Sequence, residues 1–461
     1  MNKQICRLSG WLKAAFETPV SNLTEISQLY FPRLLENFTM VFVALVNLGV
    51  VSTLGSDIVV GVGMVDPIGL VMQYLYIAFG LTTTVLVSQN LGAERPEAAA
   101  KSFVQIMKII GLTGAGVSVV LFLLRRPILH LLYPTAEAAA FECAQHYLGG
   151  VLATGPLYAF ASMTNGMLRA FNRAREALYI TLMVNLSIII ANAVFIYALD
   201  WDYRCMSYSI TISRLLPLMI IYRYTISKKH RVMDFCWREN LRRDPVTAKK
   251  VFQIGVPFAL ENLFFQSGRL IVQMIAMRLG SLAASVNTIN MTLMNFIQCT
   301  GVSMADTSIN VLGRSMGRGD VASARKYIHA LHVSASALNA LMLLATLCAF
   351  KPIMRMLNAG EEAVPLILIN LLIIGAANVF FWPRGFLIAN CLKAAGDIRF
   401  TTGVAAITMW TIRVLFSYVF SIPMGMGVAG IWTAMAVEWV VRGVIFTIRY
   451  HGSRGYEHRL I

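Results

Sequence analysis

The chain has 461 residues, of which 57% are hydrophobic and only 13% charged, and its formal net charge is +16. Soluble domains carry about a quarter charged residues, so this composition excludes an ordinary water-soluble fold and points to the bilayer. The basic excess does not read as a nucleic-acid surface, because it collects in the loops expected on one side of the membrane.

Residues 1–28 are expected to form a cytoplasmic N-terminal segment. They hold basic residues but no uninterrupted apolar core, so no cleavable signal peptide is apparent. Trp11, Leu12, Ala15 and Phe16 fit a short amphipathic stretch along the inner membrane face. From there, apolar runs long enough to cross about 30 Å of hydrocarbon recur along the chain. Their breaks predict helices over 29–53, 58–88, 104–125, 144–169, 177–199 and 206–226, which make an N-lobe over 29–226. A basic cytoplasmic linker, 227–250, follows. The C-lobe, 251–450, takes helices over 251–277, 283–312, 328–350, 363–392, 401–421 and 427–449, and 451–461 is a cytoplasmic tail. The fold class is an all-α integral membrane protein with about twelve transmembrane helices.

Charge sets the orientation. With the N-terminus inside, the inner loops collect Arg95, Lys101, Arg169, Arg173, Arg175, Lys228, Lys229, Arg314, Arg318, Lys393 and Arg399. The outer loops hold fewer bases, such as Arg125, Arg126 and Arg204, offset by Asp200, Asp202, Glu361 and Glu362. This bias places both termini in the cytoplasm of a cell with a plasma (inner) membrane.

The second half copies the first. Pro32 and Glu36-Asn37 return as Pro257 and Glu261-Asn262, Leu54-Gly55-Ser56 as Leu279-Gly280-Ser281, Gln73 as Gln298, Thr82 as Thr307 and Lys101 as Lys326. Leu168-Arg169-Ala170 matches Leu392-Lys393-Ala394 after the fourth helix of each half. Gly92 and Gly317 are expected to close the second helix of each half. An even number of crossings per half makes the repeats parallel, so the expectation is two six-helix pseudo-symmetric lobes with a substrate cleft between them.

Polar residues inside apolar helices are functional candidates, because they are costly to expose to lipid. Asn262, Gln266, Arg269 and Gln273 fall at i, i+4, i+7 and i+11 and share one helix face. Glu261 flanks this stripe as the first candidate for coupling an ion to transport; the alternative is a permanent pair with Arg269 or another cation that ties helices together. Gly268 permits close approach of a neighbouring helix. The matching positions after Asn37 are apolar, so polar chemistry is expected to concentrate in the second half, and Glu36 is read as equally consistent with a functional and a solvated place near a helix end. Helix 8 adds Gln298 and Asp306. Glu438 and Arg442, at i, i+4, read as a structural ion pair. Asp66-Pro67 reads as a helix start, Trp382-Pro383 as a kink, and the methionines Met274, Met277, Met291, Met294 and Met304 as packing before an adaptable ligand surface.

Seven cysteines lack the close spacing of a metal or redox motif, and the seven histidines lack catalytic partners. No phosphate-binding GxxxxGK[ST] occurs. An enzyme, a cofactor and a resident metal are therefore not expected.

Taken in order, Glu261-Asn-Leu-Phe-Phe-Gln266-Ser-Gly268-Arg269, Leu279-Gly280, Leu392-Lys-Ala-Ala-Gly396-Asp397-Ile-Arg399, Met409-Trp410-Thr-Ile-Arg413, Gly430-Ile-Trp432 and Glu438-Trp439-Val-Val-Arg442 resemble the multidrug and toxic compound extrusion (MATE) family over nearly the whole chain. The resemblance implies two six-helix lobes around a central cavity. It also implies export of small organic, cationic amphipathic compounds by alternating access, in exchange for H⁺ or Na⁺, from a monomer in the lipid bilayer. Glu261 matches the family's helix 7 glutamate. The first-lobe acids of many bacterial members stand here as Asn47 and Asn192, amides that cannot titrate, and Trp382 occupies the region of a helix 10 acid. The alternative is a lipid-linked oligosaccharide flippase of the same superfamily, for which Arg269 and Arg384 are cation candidates.

Overall fold

The computed structural model describes residues 22–52, 56–134, 137–199, 201–225, 244–357 and 360–452. These residues are helical almost throughout, and no strand occurs among them. The expected amphipathic stretch Trp11–Phe16, the linker up to residue 243 and the tail from residue 453 lie outside the described residues.

The helices follow the predicted order. The first half holds α1 (Leu23–Ser52), α2 (Ser56–Gly92), α3 (Pro96–Leu132), α4 (Ala138–Ala153) running into α5 (Gly155–Ala170), α6 (Ala174–Ala193) and α7 (Cys205–Leu215) followed by α8 (Leu218–Thr225). The second holds α9 (Pro245–Arg278), α10 (Ser281–Arg318), α11 (Val321–Cys348) with the short α12 (Phe350–Met356), α13 (Ala363–Phe380), α14 (Ile388–Ala394), α15 (Ile398–Ile407), α16 (Leu415–Ser421) and α17 (Val428–His451). Among the described residues eight helices are long and apolar enough to cross a membrane by length and composition alone. The long α9 and α10 fall outside that group because they carry the amides and charges described below.

Among the described residues three helices widen into π turns, at Val194–Ala198, Pro383–Leu387 and Thr408–Val414. Pro383 has no N–H to give to the preceding turn, so the helix opens there and continues as α14. By contrast, α2 runs through Asp66-Pro67 instead of starting there, and Asp66 is exposed on its surface.

Two compact units divide the chain: Phe31–Ala259, and Leu260 onward together with the described residues before Phe31. Within the first unit, α2 packs on α3, α4 and α5. A Cβ on Gly80 would stand 2.7 Å from the Ser162 carbonyl oxygen, so only glycine allows α2 and α5 to meet this closely. Within the other, α10 packs on α11, α13 and α14, and α17 on α13 and α16. Gly268 does admit a neighbour, since a Cβ there would clash with Met409 Cε and lie 2.9 Å from Met409 Cγ.

The duplication extends to individual backbone turns. After α2, Glu94 turns left-handed at φ 59°, its N–H bonds Leu91 O at 3.1 Å and the next N–H, of Arg95, bonds Asn90 O at 3.0 Å. After α10, Gly319 does the same at φ 75°, with bonds of 3.0 Å from Gly319 to Met316 O and from Asp320 to Ser315 O. The left-handed closing residue is therefore at 94 and 319, two residues beyond the expected Gly92 and Gly317. A second matched pair follows the fourth helix of each half: Asn172 at φ 59° and Gly396 at φ 102°.

Candidate functional site

The repeated glutamates both sit in ion pairs, and the repeated bases hold them. On α1, Glu36 Oε2 accepts from Arg33 Nη1 and from Arg169 Nη2, each at 2.6 Å. Arg169 sits at the C-terminal end of α5, where a cation also suits the helix dipole. On α9, Glu261 accepts from Lys393 Nζ, at 2.8 Å on Oε1 and 2.7 Å on Oε2. Lys393 ends α14 as Arg169 ends α5. The partners in sequence lie 133 residues apart in the first case and 132 in the second.

The two copies then differ in which member of the pair is sealed. Glu36 is 0% exposed, while Arg33 and Arg169 keep 17% and 20% of their side-chain surface. In the second copy Glu261 is 15% exposed and its partners Lys393 and Arg442 only 6% and 2%. The first copy thus presents cations and hides its acid. The second presents its acid and hides its cations.

Around Glu261 the ion pair grows into a network within one unit. Arg442 on α17 donates to Glu261 Oε1 at 3.3 Å, and Thr402 on α15 lies 3.5 Å from Oε2. Arg442 also approaches Glu438 at 3.5 Å, but the nearer partner of Glu438 is Arg413, at 2.8 Å from the π turn before α16. The i, i+4 pair read from sequence is therefore real but secondary. Aromatic faces close over the guanidiniums: Arg442 lies 4.4 Å from the Phe386 ring centroid and Arg413 5.1 Å from that of Phe265. Such faces stabilise a desolvated cation by quadrupole attraction. Asp306 is within electrostatic reach of Lys393, and Arg269 within that of Arg413. The cluster thus gathers three acids and four bases.

The polar stripe on α9 faces inward as the spacing requires. Gln266 is buried and Asn262, Arg269 and Gln273 partly so, while Leu263, Leu270, Met274 and Met277 between them are exposed. Gln273 Oε1 accepts from Asn287 Nδ2 at 2.6 Å. Arg269, however, is not the cation that holds Glu261; Lys393 and Arg442 are. Gln298 Nε2 reaches Asn378 Oδ1 at 3.4 Å. Trp382 is buried and stacks on Phe386 at 5.1 Å, against the same ring that covers Arg442. The five methionines do not share a face, because Met274 and Met277 are exposed whereas Met294 and Met304 are buried.

In the first unit, Asn37 is partly buried, Asn192 is buried, and the side chain of Asn47 lies outside the described residues. Of the two alternatives left open for Glu36, the solvated place near a helix end is excluded: the residue is fully buried, and bases from two helices pair with it. Sequence reasoning also missed the asparagines of the other unit. Asn287, Asn290, Asn339, Asn370 and Asn378 are all fully buried. The signal was an amide inside a strongly apolar helix, clearest for Asn370 and Asn378 in α13.

Among known proteins, the family model MatE matches this chain twice, over residues 32–196 and 257–419, in the register of the internal repeat. The chain is 24% identical to an uncharacterized transporter, YisQ, of Bacillus subtilis, over 95% of this chain and 96% of that protein. It is 21% identical to a probable multidrug resistance protein NorM of Thermotoga maritima, over 91% and 90% of the two chains. A solved structure described as the outward-facing conformation of a multidrug resistance MATE family transporter matches the fold with a TM-score of 0.85 at 18% identity, over 95% of this chain and 96% of that one.

Proposed function

Because the chain belongs to the MatE family of membrane transporters, we propose that it is a secondary antiporter exporting organic, cationic amphipathic compounds in exchange for H⁺ or Na⁺. That it is an integral membrane transporter follows from the family; the absence of enzymatic activity, the coupling ion, the substrate class and the antiport cycle are the proposal. The observation that carries it is the exposure of Glu261, the one acid of its ion pair open to an arriving ion, already holding an ammonium at 2.7 Å.

A carboxylate that binds the Lys393 ammonium offers the same oxygens to a proton, to Na⁺ or to a substrate's cationic nitrogen. Each competitor must displace Lys393, and the displaced charge then stands uncompensated in an apolar setting, which is costly. Exchange therefore couples occupancy to rearrangement of α9 against α14 and α17. A ligand shifts a conformational equilibrium only by its differential affinity for the two states, and the competition for Glu261 supplies such a difference. Alternating access then needs only that the Lys393-bound and ion-bound forms favour opposite openings. The protein acts as a monomer in the bilayer with both termini cytoplasmic, without cofactor or nucleic acid.

The test is efflux from proteoliposomes under separately imposed pH and Na⁺ gradients, comparing wild type with Glu261→Gln. Gradient-driven transport that survives unchanged in the variant removes Glu261 from the coupling step.

A further inference from the structure

We infer that the first unit holds a site for a zwitterionic ligand, whose ammonium meets Asp66 and whose carboxylate meets Arg214 and the Tyr147 hydroxyl. The helix faces that carry these residues converge on one apolar cluster, Ile196, Cys205 and Met206. On α2, Ile58 and Val62 pack against that cluster, and Asp66 follows Val62 by one turn on the same face. On α7, Met206, Ile210 and Arg214 repeat the four-residue spacing, with Met206 in the cluster and Ile210 buried. Tyr147 of α4 lays its ring against the same cluster.

Arg214 is anchored along one edge only. Its Nη1 donates to Val151 O at 2.7 Å and to Thr154 Oγ1 at 2.8 Å, where α4 gives way to α5, and its guanidinium carbon lies 5.3 Å from the Tyr158 ring centroid. Among the described residues Nε and Nη2 make no hydrogen bond, and neither is sealed from solvent-sized space. The groups within electrostatic reach of Arg214 are the tyrosines Tyr76, Tyr147 and Tyr158, and no acid is among them. Asp66 likewise has no cation in reach, and it forms no hydrogen bond or ion pair among the described residues. It is exposed, but a carboxylate turned to lipid is costly, so its open side is the space beside the cluster.

Tyr147 lies within electrostatic reach of both Asp66 and Arg214, which do not reach each other. An acid and a base this far apart cannot neutralise one another, and each is costly to hold unpaired inside apolar helices. A ligand with a single charge compensates one and leaves the other. A molecule with an ammonium and a carboxylate several bonds apart compensates both, through charge-assisted hydrogen bonds to Asp66, to the open edge of Arg214 and to the Tyr147 hydroxyl. This site does not depend on antiport through Glu261, and either can fail alone.

Equilibrium dialysis of the full-length protein in detergent against labelled ε-aminocaproate, with caproate and n-hexylamine as competitors, tests it. Saturable binding is expected, with each singly charged competitor weaker by about tenfold or more. Asp66→Asn and Tyr147→Phe break no hydrogen bond or ion pair among the described residues, so both variants should fold. Asp66→Asn should lower affinity for ε-aminocaproate about tenfold and bring it level with caproate. Tyr147→Phe should weaken the zwitterion and caproate by the same factor, whereas Glu261→Gln should leave both unchanged. No saturable binding, singly charged competitors as tight as the zwitterion, or a preference for the zwitterion that survives Asp66→Asn overturns the site.

Discussion

Glu36 and Glu261 occupy equivalent places in two copies of one element, and each is held by the equivalent base. What separates them is access. Glu36 lies wholly beneath Arg33 and Arg169, whereas Glu261 lies partly open above Lys393 and Arg442. Duplication supplied the same ion pair twice, and the packing around each decides whether its anion or its cations can meet a ligand. A buried ion pair by itself is weak grounds for function or for stability. The inversion of exposure between two related pairs is stronger, because each serves as the other's control.

The largest expected effect lies where the network is most deeply buried. Glu438→Gln leaves Arg413 and Arg442 without their shared acid, and all three are almost completely enclosed. Breaking such a pair costs about 3–5 kcal/mol, so the thermal midpoint in detergent should fall far more than for any other single change considered. Glu36→Gln should come next, at about 1–3 kcal/mol, because Arg33 and Arg169 retain some surface through which their charge is screened. A reversed order would show that exposure does not grade the two copies.

A smaller contrast tests the repeat at the backbone. Glu94 adopts a left-handed conformation where its counterpart is Gly319. Glu94→Gly should therefore stabilise, and Gly319→Ala destabilise, each by about 1 kcal/mol, read from unfolding midpoints. Equal signs for the two would mean that the turns are not equivalent.

The smallest effect concerns acid sensitivity at helix starts outside the spanning segments. Asp244 begins α9, where its hydrogen bond from Lys101 at 2.9 Å, with help from the Thr247 backbone N–H, lowers its pKa to about 2. Asp320 begins α11 and is lowered by Ser323. A folded-state pKa below the unfolded value of about 3.9 gives stability that is complete above that value. That stability is lost as pH falls toward about 2. Asp244→Asn should flatten stability against pH across that interval and leave neutral pH nearly unaffected, with solvent screening holding the effect to at most about 1 kcal/mol.

Much of this was legible in the residues. Long apolar runs marked the helices, the constant offset marked the duplication, and the i, i+4, i+7, i+11 spacing put the α9 stripe on an inward face. The same spacing could not say which cation holds Glu261, since Arg269 is close in sequence whereas Lys393 is 132 residues away. Only packing joins them. Yet the clue was present, because Glu36 and Arg169 stand at almost the same separation. Exposure was illegible for a different reason: it depends on what covers each pair, and although Arg33 stands where α9 has Phe258, the spacing does not say which of the paired groups is left open. The closing residues of α2 and α10 were misplaced because glycine content was followed, whereas one copy closes on a glutamate.

Gradient-driven efflux in proteoliposomes, measured side by side for Glu261→Gln and Glu36→Gln under imposed pH and Na⁺ gradients, tests the inversion most directly. The expected result is loss of gradient dependence in Glu261→Gln, with gradient dependence retained in the folded fraction of Glu36→Gln. Equal loss in both, or coupling that survives in Glu261→Gln, would contradict the division of one duplicated ion pair into an open acid and a sealed one.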